Sequence, residues 1–185
     1  VKIIGIADKH ATDPTYATYD FHKINSYFGG QKLSPPDNSR SWDNCLTIVE
    51  TGGLRILHWG DNRHNPPEDI WDRLGRIDIL LMPVDDSQHV MGNPMVADVI
   101  DRVAPKVVVP HHYYTWNVVQ RQSTLLPVEQ WLETQAAVRR LESSETSYTL
   151  DNLPTVRTVD YFGDHVGFDV DEWHRENGLK TDEGS

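Results

Sequence analysis

From residue 54 onward, short apolar runs rich in β-branched residues alternate with segments of three- and four-residue apolar spacing. This alternation constrains the fold most, because strands separated by helices build α/β layers around a largely parallel sheet. Strands are expected at residues 54–59, 77–84, 106–109 and 156–159. The run at 77–84 is apolar apart from Asp78, the pattern of a strand covered on both faces. Between the first two runs, Asn65 is placed as an N-cap, Pro66 as the first helical residue and Glu68 as the partner in a capping box. Ile70, Trp71 and Leu74 then share a face, and Gly75 stops the helix. Asn93-Pro94 repeats the capping pattern before Met95, Val96, Val99, Ile100 and Val103, and Pro105 ends that helix. A third helix is expected from Pro127 to about Leu141, with Val128, Trp131, Leu132, Val138 and Leu141 on a looser apolar face.

Upstream, residues 1–7 read as a buried strand running into Asp8-Lys9-His10. Opening directly in a strand suggests that something once preceded Val1. Residues 45–50 form a further strand, joined to 54–59 by Thr51-Gly52-Gly53, a hairpin turn. Residues 11–43 contain Pro14, Gly29-Gly30, Pro35-Pro36 and five aromatics without a sustained period, which predicts a long loop or lid. With 185 residues, one domain is expected over 1–160, followed by an acidic extension over 161–185.

Three strand ends deliver polar side chains of one chemical kind. They are His10, Asp61 on the turn Gly60-Asp61-Asn62, and His112 within Pro110-His111-His112-Tyr113. In layered α/β folds, side chains gathered past strand ends form the usual site. Two imidazoles and a carboxylate suit zinc, manganese or iron, and a carboxylate has two oxygens with which to bridge two cations. His58, His64, His89, His111 and Tyr113 lie near these positions and are candidates for substrate contact or for supporting the ligands. For His58 a structural role is favoured, and for His64 and His89 a solvated turn. Asp85-Asp86 reads as a solvated polar loop, Trp71, Trp131 and Met95 as core, and Cys45 as a small buried hydrophobe.

The formal net charge of −11 disfavours nucleic acid as a partner. One cysteine excludes an internal disulfide framework and any cysteine-rich zinc module. No apolar run is long enough for a membrane span, so a soluble protein is expected, with the cytoplasm only slightly favoured.

In order and spacing these motifs resemble the metallo-β-lactamase superfamily, closest to its ascorbate-6-phosphate-lactonase-like branch. The resemblance runs through His10 at a strand end, Asn44 before the hairpin, Gly60-Asp61, the strand from Asp78 to Pro83, Met91-Gly92, the Pro94 helix, and Pro110-His111-His112-Tyr113. It covers about residues 1–120. The fold it implies is an αββα sandwich, of which this chain would be the carboxy-terminal half. The family's His-x-His-x-Asp-His signature, normally upstream of His10, is absent from these residues.

The resemblance implies that His10 binds a first metal ion, Asp61 bridges, and His112, rather than the competing His111, binds a second. Two divalent ions, zinc or else manganese or iron, would then activate hydroxide toward a small ester, lactone or phosphoester. Phosphodiesters of nucleotides or RNA are a further option within the superfamily, and the chain's charge weighs against a polymer. Each ion would take only two ligands from this chain, so a complementary amino-terminal segment, or self-association, is expected to complete the site. The alternative is a metal-free scaffold or interaction domain derived from such an enzyme.

Overall fold

The computed structural model describes residues 1–11, 44–86, 90–114 and 125–163, with 175 and 178 as isolated positions. Beyond residue 11, the expected loop or lid of residues 11–43 lies outside the described residues, as does the acidic extension after 163 apart from 175 and 178. The elements in chain order are β1 (Lys2–Asp8), β2 (Asn44–Thr51), β3 (Leu54–His58), α1 (Glu68–Leu74), β4 (Ile79–Pro83), α2 (Asn93–Val103), β5 (Val107–His111), α3 (Glu129–Glu133), β6 (Val138–Arg140) and β7 (Thr158–Tyr161). The seven strands form one mixed sheet in the order β1-β2-β3-β4-β5-β7-β6.

Strands β1, β2 and β3 pair antiparallel, and β3-β4-β5-β7-β6 pair parallel. The β2–β3 turn is the expected hairpin, with Gly52 at φ 57° and Gly53 at φ 81° between the paired Thr51 and Leu54. A two-residue loop with positive φ at both centres matches the right-handed twist of its strands, and glycine takes that conformation without steric cost. Two antiparallel steps separate β1 from β3, so β1 runs in the same direction as β3, β4 and β5. Their carboxyl ends therefore share one edge of the sheet, and residues 10, 61 and 112 follow three of those ends.

One face of the sheet carries the main core. Leu46, Ile48, Leu57, Leu80, Met82 and Val108 are wholly buried there beneath Ile70 and Leu74 of α1 and Val96, Val99 and Ile100 of α2. Each such side chain contributes about 1.5–3 kcal/mol by leaving water. On the opposite face Leu54, Ile79 and Val107 form a smaller cluster, with Tyr148 and Leu153 against it. Toward the β1 edge that face opens: Ile3 is 70% exposed, and Gly5, Ala7 and Cys45 are exposed beside it.

Several expectations are corrected. The third helix spans only Glu129–Glu133, and residues 138–140 are strand β6, paired parallel to β7. Tertiary pairing outweighs the helical spacing there, because Arg139 reaches the buried Asp160 from a strand position. Helix α1 starts at Glu68, with Pro67 in the cap position and no side-chain cap, in place of an Asn65 capping box. Pro67 disfavours helical backbone at Pro66, which delays the start. Helix α2 likewise starts at Asn93, and the carboxylate of Asp86 accepts from the Asn93 N–H at 2.7 Å. Asp85 is wholly buried, so the pair is no solvated loop. Met95 is 41% exposed because the stripe facing the sheet is centred on Val96, Val99 and Ile100. Cys45 is exposed because the alternation that buries Leu46 and Ile48 turns it to the other face. Among the described residues, no helix is long and apolar enough to cross a membrane.

Candidate functional site

The strand ends bring His10, Asp61 and His112 together. The His10 Nε2 lies 3.4 Å from Asp61 Oδ2, and the His112 Nε2 lies 3.8 Å from Asp61 Oδ1. Each imidazole thus meets a different oxygen of one carboxylate, and all three side chains are about one-third exposed or less.

Backbone pairing fixes the first of these distances. His10 and Asn62 form an antiparallel bridge, the Ala11 N–H donates to the Asp61 carbonyl at 2.6 Å, and the Arg63 N–H donates to the Lys9 carbonyl at 3.1 Å. The turn that carries Asp61 begins at Gly60, whose φ of 58° suits glycine. His112 also sits in the left-handed region, at φ 57°. That conformation costs a non-glycine residue about 1 kcal/mol, and strain of this kind gathers at functional sites.

The ring of His10 is also fixed in orientation. Its Nδ1 lies 2.6 Å from the Ala11 carbonyl oxygen, which can only accept, so Nδ1 carries the proton. In the neutral ring, Nε2 then presents a lone pair toward Asp61 Oδ2. Two ligands held at about 2.0–2.2 Å from one tetrahedral ion stand roughly 3.3–3.6 Å apart. The His10–Asp61 separation fits that edge, and the His112–Asp61 separation is slightly wider. Among the described residues no group of three or more His, Cys, Asp or Glu side chains is arranged to hold a metal ion. The donor types fit a divalent ion, while the number converging among the described residues falls short of a full set.

Beside the triad, His111 stacks on His58 with ring centroids 4.9 Å apart and planes 12° from parallel. Burial, then the neighbouring His58 and His112, lower the His111 pKa from 6.5 to about 4, against the raising influence of Asp61 and the Leu81 backbone. The ring is therefore neutral at pH 7, and its Nε2 is buried without a hydrogen-bond partner among the described residues. Of the other candidates, His64 is half-buried on the bend after Asn62, and Tyr113 packs edge-on against Tyr161 at 6.1 Å. His89 lies outside the described residues. A cleft of about 230 Å³ near the carboxyl ends of α1 and α2 is lined by Trp71, Leu74 and Arg102 and includes none of the triad.

A buried polar layer beneath the triad has no counterpart in the sequence reading. Asn62, wholly buried, donates from Nδ2 to Asp8 Oδ2 at 2.7 Å and accepts at Oδ1 from Asn44 Nδ2 at 3.1 Å. Arg63 pairs with the same buried Asp8 through Nε and Nη2. In sequence, Asn62 is an ordinary turn residue and Asp8 a polar strand end. Only their meeting across 54 positions gives them a role.

Comparison with known proteins gives a consistent set of relatives. The family model of the β-lactamase superfamily domain matches residues 11–112. A protein of Pelotomaculum thermopropionicum named a metal-dependent hydrolase is 26% identical over 102 residues, covering 55% of this chain and 44% of that protein. A second of that name, from Archaeoglobus fulgidus, is 32% identical over 74 residues, covering 40% and 32% respectively. The chain thus spans less than half the length of these curated relatives. A crystal structure from Thermotoga maritima, described as a candidate Zn-dependent hydrolase of the metallo-β-lactamase superfamily, superposes with a TM-score of 0.54 at 27% identity. It covers 64% of this chain and 57% of that one.

Proposed function

The chain belongs to the metallo-β-lactamase superfamily, and from that premise we propose that it is part of a metal-dependent hydrolase in which His10, Asp61 and His112 hold two divalent ions. The observation that carries the reading is the placement of two imidazole Nε2 atoms against the two oxygens of one carboxylate, from three separate strand ends. Zinc is the favoured ion, with manganese or iron chemically acceptable to the same donors. The ions would supply Lewis acidity toward a carbonyl or phosphoryl oxygen and lower the pKa of water toward neutrality.

The protein's own part is to hold and orient. Ala11 fixes the His10 tautomer, Asp61 offers one oxygen to each side, and the turned backbone at His112 aims its ring at Asp61. The neutral His111, stacked on His58, lies beside them. We favour small ester, lactone or phosphoester substrates, since a chain of net charge −11 repels polyanions.

The missing donors belong, in this reading, to a complementary amino-terminal segment seated on the open sheet face around Ile3, Ala7 and Cys45. Exposed apolar patches commonly mark such contacts. The incomplete donor set favours one competing reading, a metal-free scaffold of the same descent.

Zinc analysis of the purified chain, with intact mass of every polypeptide present, separates the two. Bound zinc that is lost in His112→Ala and kept in His111→Ala supports the hydrolase. The reverse pattern overturns the ligand assignment, and no bound zinc in the presence of the complementary segment leaves the scaffold.

A further inference from the structure

We propose that Asn62 is a positioning residue that sets the separation of His10 and Asp61, acting through a clamp with Asp8 and Asn44. The inference rests on the proposed metal site for its purpose, and on the buried polar layer for its evidence.

Asn62 is 0% exposed although it belongs to a turn. A buried amide without partners costs several kcal/mol, so such a residue persists only where its bonds are made. Here they join three elements. The Nδ2 group donates to Asp8 Oδ2 and to the Arg63 carbonyl, at 2.7 and 3.2 Å, and Oδ1 accepts from Asn44 at 3.1 Å. Its own carbonyl accepts from the indole N–H of Trp59, which is wholly buried, at 3.1 Å.

Asp8 ends β1 two residues before His10, Asn44 starts β2 opposite Asp8, and Asn62 follows Asp61 directly. The side chain of Asn62 is therefore tied to the strand that carries one ligand, while its backbone is continuous with the other. Motion of the 60–63 turn relative to residues 8–11 has to break the Asn62–Asp8 bond along with the two backbone bonds that flank it.

The direction of the bond supplies the test. Asn62→Asp keeps size and shape but sets a carboxylate against the Asp8 carboxylate. Combining it with Asp8→Asn exchanges donor and acceptor across the same contact, at the cost of the Arg63 Nε bond to Asp8 Oδ2 and with the Nη2 bond to Oδ1 kept. Both variants are made in the 185-residue chain and studied by two measurements.

The first is hydrogen exchange of the Ala11 and Arg63 amides in metal-free protein. Protection of both is expected to fall in Asn62→Asp while β4 and β5 stay protected, and to return in the exchanged pair. The second is Zn²⁺ binding by competition with a chromophoric chelator, expected to weaken roughly tenfold or more in Asn62→Asp and to recover in the pair, as for other residues that orient metal ligands.

Unchanged exchange at Ala11 and Arg63 in Asn62→Asp overturns the clamp, as does an exchanged pair no better protected than Asn62→Asp. If Asn62→Asp unfolds outright, the exchanged pair alone decides: a folded pair with Ala11 and Arg63 protected sustains the clamp, and a pair that also unfolds or leaves both amides unprotected sinks it. Absence of zinc binding by the wild-type chain, if it persists with the complementary segment present, would count against the proposed function, while the exchange data still decide the clamp.

Discussion

Replacing His111 with phenylalanine should flatten the pH dependence of stability below neutrality. Phenylalanine keeps a ring to stack on His58 and removes the titration. In the folded chain the His111 pKa is lowered from 6.5 to about 4, so the unfolded state binds the proton more tightly. The stabilisation this gives the native state is complete above pH 6.5 and is lost as pH falls toward 4. Between pH 7 and pH 5 the linkage relation gives a loss of about 1.8 kcal/mol, which the partial exposure of the ring reduces to roughly 1–1.5.

Urea unfolding followed by tryptophan fluorescence, at pH 7 and pH 5 in the presence of a chelator, measures it directly. Wild type should lose that much more stability than His111→Phe over the interval, the histidines not coupled to His111 cancelling in the difference. Equal losses in the two proteins would refute the account of a desolvated, neutral imidazole at this position.

Leu57→Ala removes a wholly buried side chain from the central strand β3 and should cost about 2–5 kcal/mol in urea unfolding; a loss below about 1 would mean the core is not packed as described. Arg139→Leu takes a half-exposed, two-bond partner from the buried Asp160, leaving the Tyr148 hydroxyl among the described residues, and should cost about 1–3 kcal/mol. Adding Asp160→Asn should recover most of that loss, and no recovery would argue against the pair. Gly60→Ala meets no close atom, the nearest being His58 Cε1 at 3.6 Å, so its cost should be the backbone strain of φ 58° alone, about 1 kcal/mol by thermal unfolding.

The sequence makes legible whatever depends on a residue and its near neighbours. The Gly52-Gly53 hairpin, the alternation of strand and helix from residue 54, and the polar residues past each strand end are all local patterns. What it hides depends on partners distant along the chain. Residues 138–140 have helical spacing and become a strand because β7 offers an edge and Asp160 a buried charge. Asp85 and Asp86 look like one solvated pair, yet the first is buried and the second caps a helix seven residues on. Cys45 could be placed only after the register of β2 with β1 and β3 decided which face it takes.

The candidate site divides along the same line. That His10, Asp61 and His112 follow strand ends is visible in the chain, but their meeting requires that those ends share an edge. The two antiparallel steps from β1 to β3 and the two parallel steps from β3 to β5 supply this, and a third antiparallel step would have sent His10 to the far edge. Topology alone, however, brings groups only to the same edge. Closing the His10–Asp61 distance takes the 9–11 and 61–63 backbone pairing, and orienting His112 takes a left-handed residue. Stability alone would place glycine or asparagine at such a position. An imidazole held there at a cost, and aimed at the carboxylate that a second imidazole also faces, is the arrangement expected where the ring itself is the purpose of the turn.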